Sequence, residues 1–145
     1  MRKKLYLAGS ISGLSYDEVV SKINAKKEAL SMYEILSPMT GKEELRTEIK
    51  FKADFNYNPI SNNHAIFERD KWMVSQCDIL FADLIGSQHV SIGTTMELAW
   101  AAMLGKHTIV AMDQDNIHRH AFILEAADIV FCTADEAINY LQRLA

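Results

Sequence analysis

Cysteine, proline, glycine and charge of a single sign are all scarce in this chain: among 145 residues there are 2 Cys, 2 Pro and 6 Gly, and the net charge is −4. Two cysteines cannot build a disulfide framework or a thiolate metal site. Cys77 and Cys132 both sit among apolar neighbours at strand edges, so both are expected to be reduced core thiols of a cytoplasmic protein. No basic run is present, which argues against a nucleic-acid surface while leaving room for one small phosphate pocket. Long hydrophobic runs are missing too. Behind Met1-Arg2-Lys3-Lys4 the apolar stretch reaches only to Gly9, too short for a signal peptide or a membrane span. Internal repeats and linker-like segments are absent, and 49% hydrophobic with 23% charged residues suits one soluble domain over 1–145 with a single core.

What is present alternates between short apolar runs and helical patterns. Leu5–Gly9 reads as a strand, followed by the small-residue turn Gly9-Ser10-Ile11-Ser12-Gly13 and a helix over Tyr16–Met32 carrying Val19, Val20 and Ile23. Tyr33–Pro38 reads as a second strand stopped by Pro38. The period then dissolves. A short charged helix is expected over 42–49, and 39–63 as a whole suits a lid or insertion, with Phe51, Phe55 and Tyr57 suited to covering a flat ligand such as a base or to packing on the body. His64–Cys77 is helical, with Glu68, Arg69, Asp70 and Lys71 forming a charged face. Asp78–Leu84 is a buried strand, Lys106–Met112 another, and Gly105 the helix cap before it. Asp113–Asn116 is a turn, His118–Ala126 a short helix, Asp128–Cys132 the last strand and Thr133–Leu144 the closing helix. Alternation of this kind implies an α/β domain: a doubly wound, flavodoxin- or Rossmann-like, mainly parallel sheet of about five strands with helices on both faces.

Two stretches in this pattern carry chemistry. The turn Gly9–Gly13 can expose backbone N–H groups at a helix start, a cradle for phosphate, although the same spacing serves simple tight turns. It is not the dinucleotide fingerprint, which argues against a bound nicotinamide, and no cofactor is expected. The second stretch is Val90–Ala101, a polar loop turning into an apolar helix after the Asp78–Leu84 strand. Glu97 is expected in the first turn of that helix, at the carboxyl edge of the sheet, where an ionised carboxylate can act as a nucleophile. Thr94-x-x-Glu97 is also a capping-box pattern, in which Glu97 would only close the helix start. Asp70 can approach the same sheet edge or belong to a solvated face. His118 and His120 have no neighbours to complete a metal set and suit a polar or anion-contacting role.

Together, Tyr6–Gly13, Asp70 ahead of Asp78–Leu84, and Ser91-Ile92-Gly93-Thr94-Thr95-Met96-Glu97-Leu98 resemble the nucleoside 2-deoxyribosyltransferase superfamily over nearly the whole chain. The resemblance implies that Glu97 is the nucleophile toward the anomeric carbon of a nucleoside, that Tyr6 stands beside it, and that Asp70 assists departure of the base. It puts Gly9, Ser10, Ile11, Ser12, Gly13, Asp83, Ser91, Gly93, Met96, His120 and Phe122 at the substrate. Ser91 stands where transferases on free nucleosides resemble one another in carrying Asp. The Ser-x-Gly form together with the Gly-Ser-Ile-x-Gly turn is similar to the branch hydrolysing nucleoside 5′-monophosphates. A hydroxyl there tolerates a phosphate that an Asp would repel. The stretch His120–Asp128 resembles that branch's segment reaching into a neighbouring subunit's site, which implies a homodimer with His120 in place of the branch's hydroxyl. Ser12 departs from the branch, whose members can carry Arg there. The 39–63 segment and Ala65–Trp72 resemble pyrimidine-nucleotide hydrolases, a lean toward cytidine-type monophosphates. The implied reactions are hydrolysis to free base and (deoxy)ribose 5-phosphate through a glycosyl-Glu97 intermediate, or exchange of bases by the same intermediate. A third reading is a non-catalytic nucleotide-binding module.

Overall fold

Parallel strands covered by helices on both faces read as near-continuous apolar runs, and the interiors of the three central strands here are largely apolar. β1 (Lys4–Gly9) buries Leu5, Tyr6, Leu7 and Ala8, and β3 (Ile79–Asp83) buries Ile79, Leu80, Phe81 and Ala82. β4 (His107–Ala111) buries Thr108, Ile109, Val110 and Ala111. In the computed structural model, which describes residues 1–10, 14–40 and 59–145, these pair with the shorter β2 (Glu34–Leu36) and β5 (Ile129–Phe131) in a five-stranded, all-parallel sheet of order β2-β1-β3-β4-β5. The expected lid residues Phe51, Phe55 and Tyr57, the helix over 42–49, and Ile11, Ser12 and Gly13 lie outside the described residues.

Period-two alternation divides the strand side chains between two cores. Leu5, Leu7, Ile79, Phe81, Ile109 and Ala111 pack under α1 (Tyr16–Ala29) and α5 (Ala134–Leu144). Tyr6, Ala8, Leu80, Ala82 and Val110 pack on the opposite face under α2 (Asn63–Gln76), α3 (Ile92–Met103) and α4 (Ala121–Ala126). Each fully buried Leu, Ile or Phe contributes about 1.5–3 kcal/mol relative to exposure. The chain leaves β1 toward one side and β3 toward the other, so the topological switch falls between them. The register sets Gly9 opposite Asp83 and brings both carboxyl ends level.

Helix boundaries follow local hydrogen bonding. Ser15 and Glu18 form a reciprocal capping box on α1, Asn62 caps α2, and Thr133 caps α5. α1 ends at Ala29, short of the expected Met32, where the Leu30 N–H closes on the Lys26 carbonyl. α4 starts at Ala121 rather than His118, because His120 is its N-cap and Asn116–His118 form a separate side-chain-braced turn. Gly105 has φ +69°, the left-handed conformation that ends α3. Cys77 is buried as expected, but Cys132 is exposed, since it follows the edge strand β5 and no helix covers it. Among the described residues no helix is long and apolar enough to cross a membrane.

Candidate active site

Tyr6, Asp70 and Glu97 come from three elements on one face of the sheet. Alternation along β1 turns Tyr6 toward α2 and α3, where it is fully buried. Glu97 is 7% exposed, and its Oε2 accepts a hydrogen bond from the Tyr6 hydroxyl. Burial first, then the negative charges of Glu97 and Asp70, hold the Tyr6 pKa well above its ordinary value, so the phenol keeps its proton and donates. Asp70, on α2, is therefore close enough for its charge to act on the same phenol. A buried carboxylate held by a buried phenol, with a second carboxylate nearby, has the composition of a nucleophile with a positioning donor and a proton handler.

The helix start differs from its expected form. Ser91, not Thr94, is the N-cap: its hydroxyl accepts from the Thr94 N–H and lies 2.8 Å from Thr94 Oγ1. Glu97 is thus the sixth residue of α3, in the second turn, and closes no capping box with Thr94. The helix dipole fades within the first turn, so the helix terminus does little for Glu97, whose Oε2 is bonded to Tyr6. Thr94 is itself buried, at 2% exposure. Gly93 is exposed, and a Cβ added there would meet no atom within 4 Å among the described residues outside its own helix. Met96 is 38% exposed on the same helix.

Gly9, Ser10 and Asp83 line a cavity of about 340 Å³ at the carboxyl ends of β1 and β3, bounded by α1 residues Lys22 and Lys26 and the loop through His89. Asp83 points to the α1 side: it pairs with Lys26 at 2.8 Å and accepts the Ile85 N–H at 3.2 Å. The structure therefore does not bring Asp83 together with Glu97, because successive strand residues face opposite ways. A Cβ on Gly9 would approach the Asp83 carbonyl to 3.2 Å, which explains glycine at that crossing. His120 and Phe122 stand exposed at the start of α4, ring against ring at 5.6 Å, with His120 Nδ1 accepting the Phe122 N–H.

One constellation has little sequence signal. His118 is 3% exposed; its Nε2 accepts the Ser91 N–H at 2.8 Å and its Nδ1 lies 2.9 Å from Asn116 Oδ1. Burial lowers its pKa. The buried Asn116 in turn donates to the Leu84 carbonyl at 2.6 Å and to Asp113 Oδ1 at 2.9 Å, while Asp113 also accepts from the Gly86 N–H. Only the Asp-x-x-Asn turn hinted at it.

The family model described as nucleoside 2-deoxyribosyltransferase matches residues 5–137. Comparison with curated proteins gives no match by sequence. Among solved structures, a conserved protein from Enterococcus faecalis V583 is 11% identical with a TM-score of 0.70, each chain covered in full. A 2-desoxiribosyltransferase from Leishmania mexicana is 20% identical with a TM-score of 0.65, over 99% of both chains. A CMP N-glycosidase from Clostridium botulinum is 16% identical with a TM-score of 0.60, over 99% of this chain and 100% of that one. These structures share the fold. With the match spanning every strand and the Tyr6–Glu97 pair, the chain belongs to the nucleoside 2-deoxyribosyltransferase family.

Proposed function

We propose that this chain is a retaining N-glycosidase acting on a nucleoside 5′-monophosphate, with a cytidine-type base favoured. A Glu97 oxygen attacks C1′ as the C1′–N bond breaks, and the bonding pair leaves on the base, which takes a proton from Asp70 in the fraction of the protein in which that carboxyl is protonated. Water then attacks C1′ while the Asp70 carboxylate takes its proton. The C1′–O bond to Glu97 breaks, releasing (deoxy)ribose 5-phosphate and restoring the carboxylate. Tyr6 holds the rotamer of Glu97 throughout.

The observation that carries this reading is the buried Tyr6–Glu97 hydrogen bond with the Asp70 charge acting on the same phenol, since a buried carboxylate is costly to keep and marks a candidate functional site. Phosphate would be held by the Ile92 and Gly93 N–H groups, which α3 itself leaves without an acceptor, and by the Gly9–Gly13 turn with Ser10 and Ser12. The experiment is a screen of ribo- and deoxynucleoside monophosphates for released base. Glu97→Ala should lower turnover by roughly a thousandfold or more while keeping nucleotide-dependent thermal stabilisation. Near-normal turnover in that variant removes Glu97 from the chemistry.

The family match supports a second reading, transfer of deoxyribose between bases through the same intermediate. A new nucleoside formed from a deoxynucleoside plus a different base would select it. We also propose that the chain pairs with a second copy. Ile92, Met103 and Phe122 are 71%, 78% and 80% exposed, and with Trp72 they give the α2–α4 face an apolar surface that association would cover and that would bring His120 to a neighbour's site. Ile92→Asp should convert a dimer to a monomer in analytical ultracentrifugation; a monomeric parent protein contradicts the pairing.

A further inference from the structure

We infer that His118 is a positioning residue: held as the neutral tautomer protonated on Nδ1, it pins the start of α3 and thereby sets the preference for a substrate ending in an anionic group. The inference rests on the proposed reading of the same site but stands on different atoms. Three first-turn groups are turned into the protein. The Ser91 N–H goes to His118 Nε2, the Ser91 hydroxyl to Thr94, and the Thr95 hydroxyl to the Ser91 carbonyl at 2.8 Å. Nε2 can accept from an amide only when it carries no proton, so the proton of the neutral ring must sit on Nδ1, where Asn116 Oδ1 accepts it. Asn116 is fixed the same way round, because its Nδ2 donates to Leu84 O and Asp113 Oδ1 and its Oδ1 must therefore be the end facing His118.

The consequence concerns the next two residues. With Ser91 drawn inward, the N–H groups of Ile92 and Gly93 are those for which the helix has no internal acceptor, and among the described residues nothing crowds the space at Gly93. The Ser91 hydroxyl is engaged by the cap, so the backbone rather than that hydroxyl makes the anion seat. Glu97, one turn further on, has its own anchor in Tyr6 from β1. Loss of His118 should therefore loosen the grip on the anionic end while leaving the chemistry at C1′ largely in place. A residue needed only for folding would lower both together.

The test compares His118→Phe, which keeps the ring volume without an acceptor, with His118→Gln, whose side-chain oxygen can reach the Ser91 N–H. In His118→Phe the ratio of kcat/KM for a nucleoside monophosphate over its nucleoside should fall by about tenfold or more, mostly through KM, as expected for a half-buried amide left unpaired. Turnover at saturation should stay within about threefold, and His118→Gln should recover most of the ratio. Independently of any activity, nitrogen-15 NMR of the wild-type chain at neutral pH should show His118 Nδ1 protonated and Nε2 bare, with a slowly exchanging Ser91 amide. A protonated Nε2, or a His118→Phe ratio equal to wild type, overturns the inference. Should the wild-type chain act on no nucleotide, the proposed function fails while the NMR result still decides the tautomer and the Ser91 bond.

Discussion

Replacing Tyr6 by Phe removes one hydroxyl from a buried site and nothing else, so its consequences can be worked through both steps of the reaction. The phenol donates to a carboxylate that is 7% exposed, and hydrogen bonds to charged groups contribute about 1.5–3 kcal/mol. In the first step Glu97 gives up its charge to C1′, so the lost bond makes the carboxylate more nucleophilic. Against this, the side chain loses its anchor, and a misplacement on the order of 1 Å costs about a hundredfold. The two largely offset. In the second step Glu97 is the leaving group and regains its charge while its position is fixed by the bond to C1′, so the absent donor acts alone and slows the step. Steady-state turnover should fall roughly 10- to 100-fold, limited by the second step. The sign of this mechanism is a burst of released base followed by slow turnover, with glycosylated protein accumulating in intact-mass spectra. The reasoning is refuted if the Tyr6→Phe protein turns over within about twofold of wild type with no accumulated adduct.

Stability tests probe the scaffold separately. Phe81 is fully buried at the centre of the sheet, under α1 and α5 and away from Glu97, so Phe81→Ala should cost about 3–5 kcal/mol in urea unfolding; a cost below 1 kcal/mol would contradict the assigned core. Acid should weaken the fold in two stages. His118 has its folded pKa lowered from 6.5, so its contribution is level above that value and declines as pH falls through 6.5 toward the folded value, because the unfolded chain takes the proton first. Asp113, held low mainly by Asn116, and Asp128, held low mainly by the Thr108 N–H, contribute stability that is present above 3.8 and lost as pH falls through their folded values. Urea midpoints measured against pH should show the upper stage vanish in His118→Gln and the lower one persist.

The parallel, doubly wound sheet was legible because a buried parallel strand writes its environment into consecutive residues. Leu5–Ala8 and Ile79–Ala82 are apolar throughout, and helices between them leave a parallel doubly wound sheet as the arrangement that fits. Glu97 and Tyr6 stood out through the resemblance of their motifs. Three features did not show. Nothing in one dimension tells Asp83 from its neighbours except parity along β3, and parity sends it to Lys26 on the far face from Glu97. The cap of α3 was read one turn late, since Ser91 and Thr94 are both good cap residues and only the competing bonds of His118 and Thr94 decide between them. By sequence His118 suits a polar or anion-contacting role, and its actual partner, the Ser91 N–H, lies 27 positions away.

The sequence by itself determined the alternation of elements and the two apolar faces, because those depend on hydrophobic period, which is local. Tertiary structure alone decided which side chains share a face at the carboxyl edge of β1 and β3, and which donors each helix start keeps for itself. Those outcomes depend on strand register and on bonds between residues far apart in the chain, and neither is encoded at any single position.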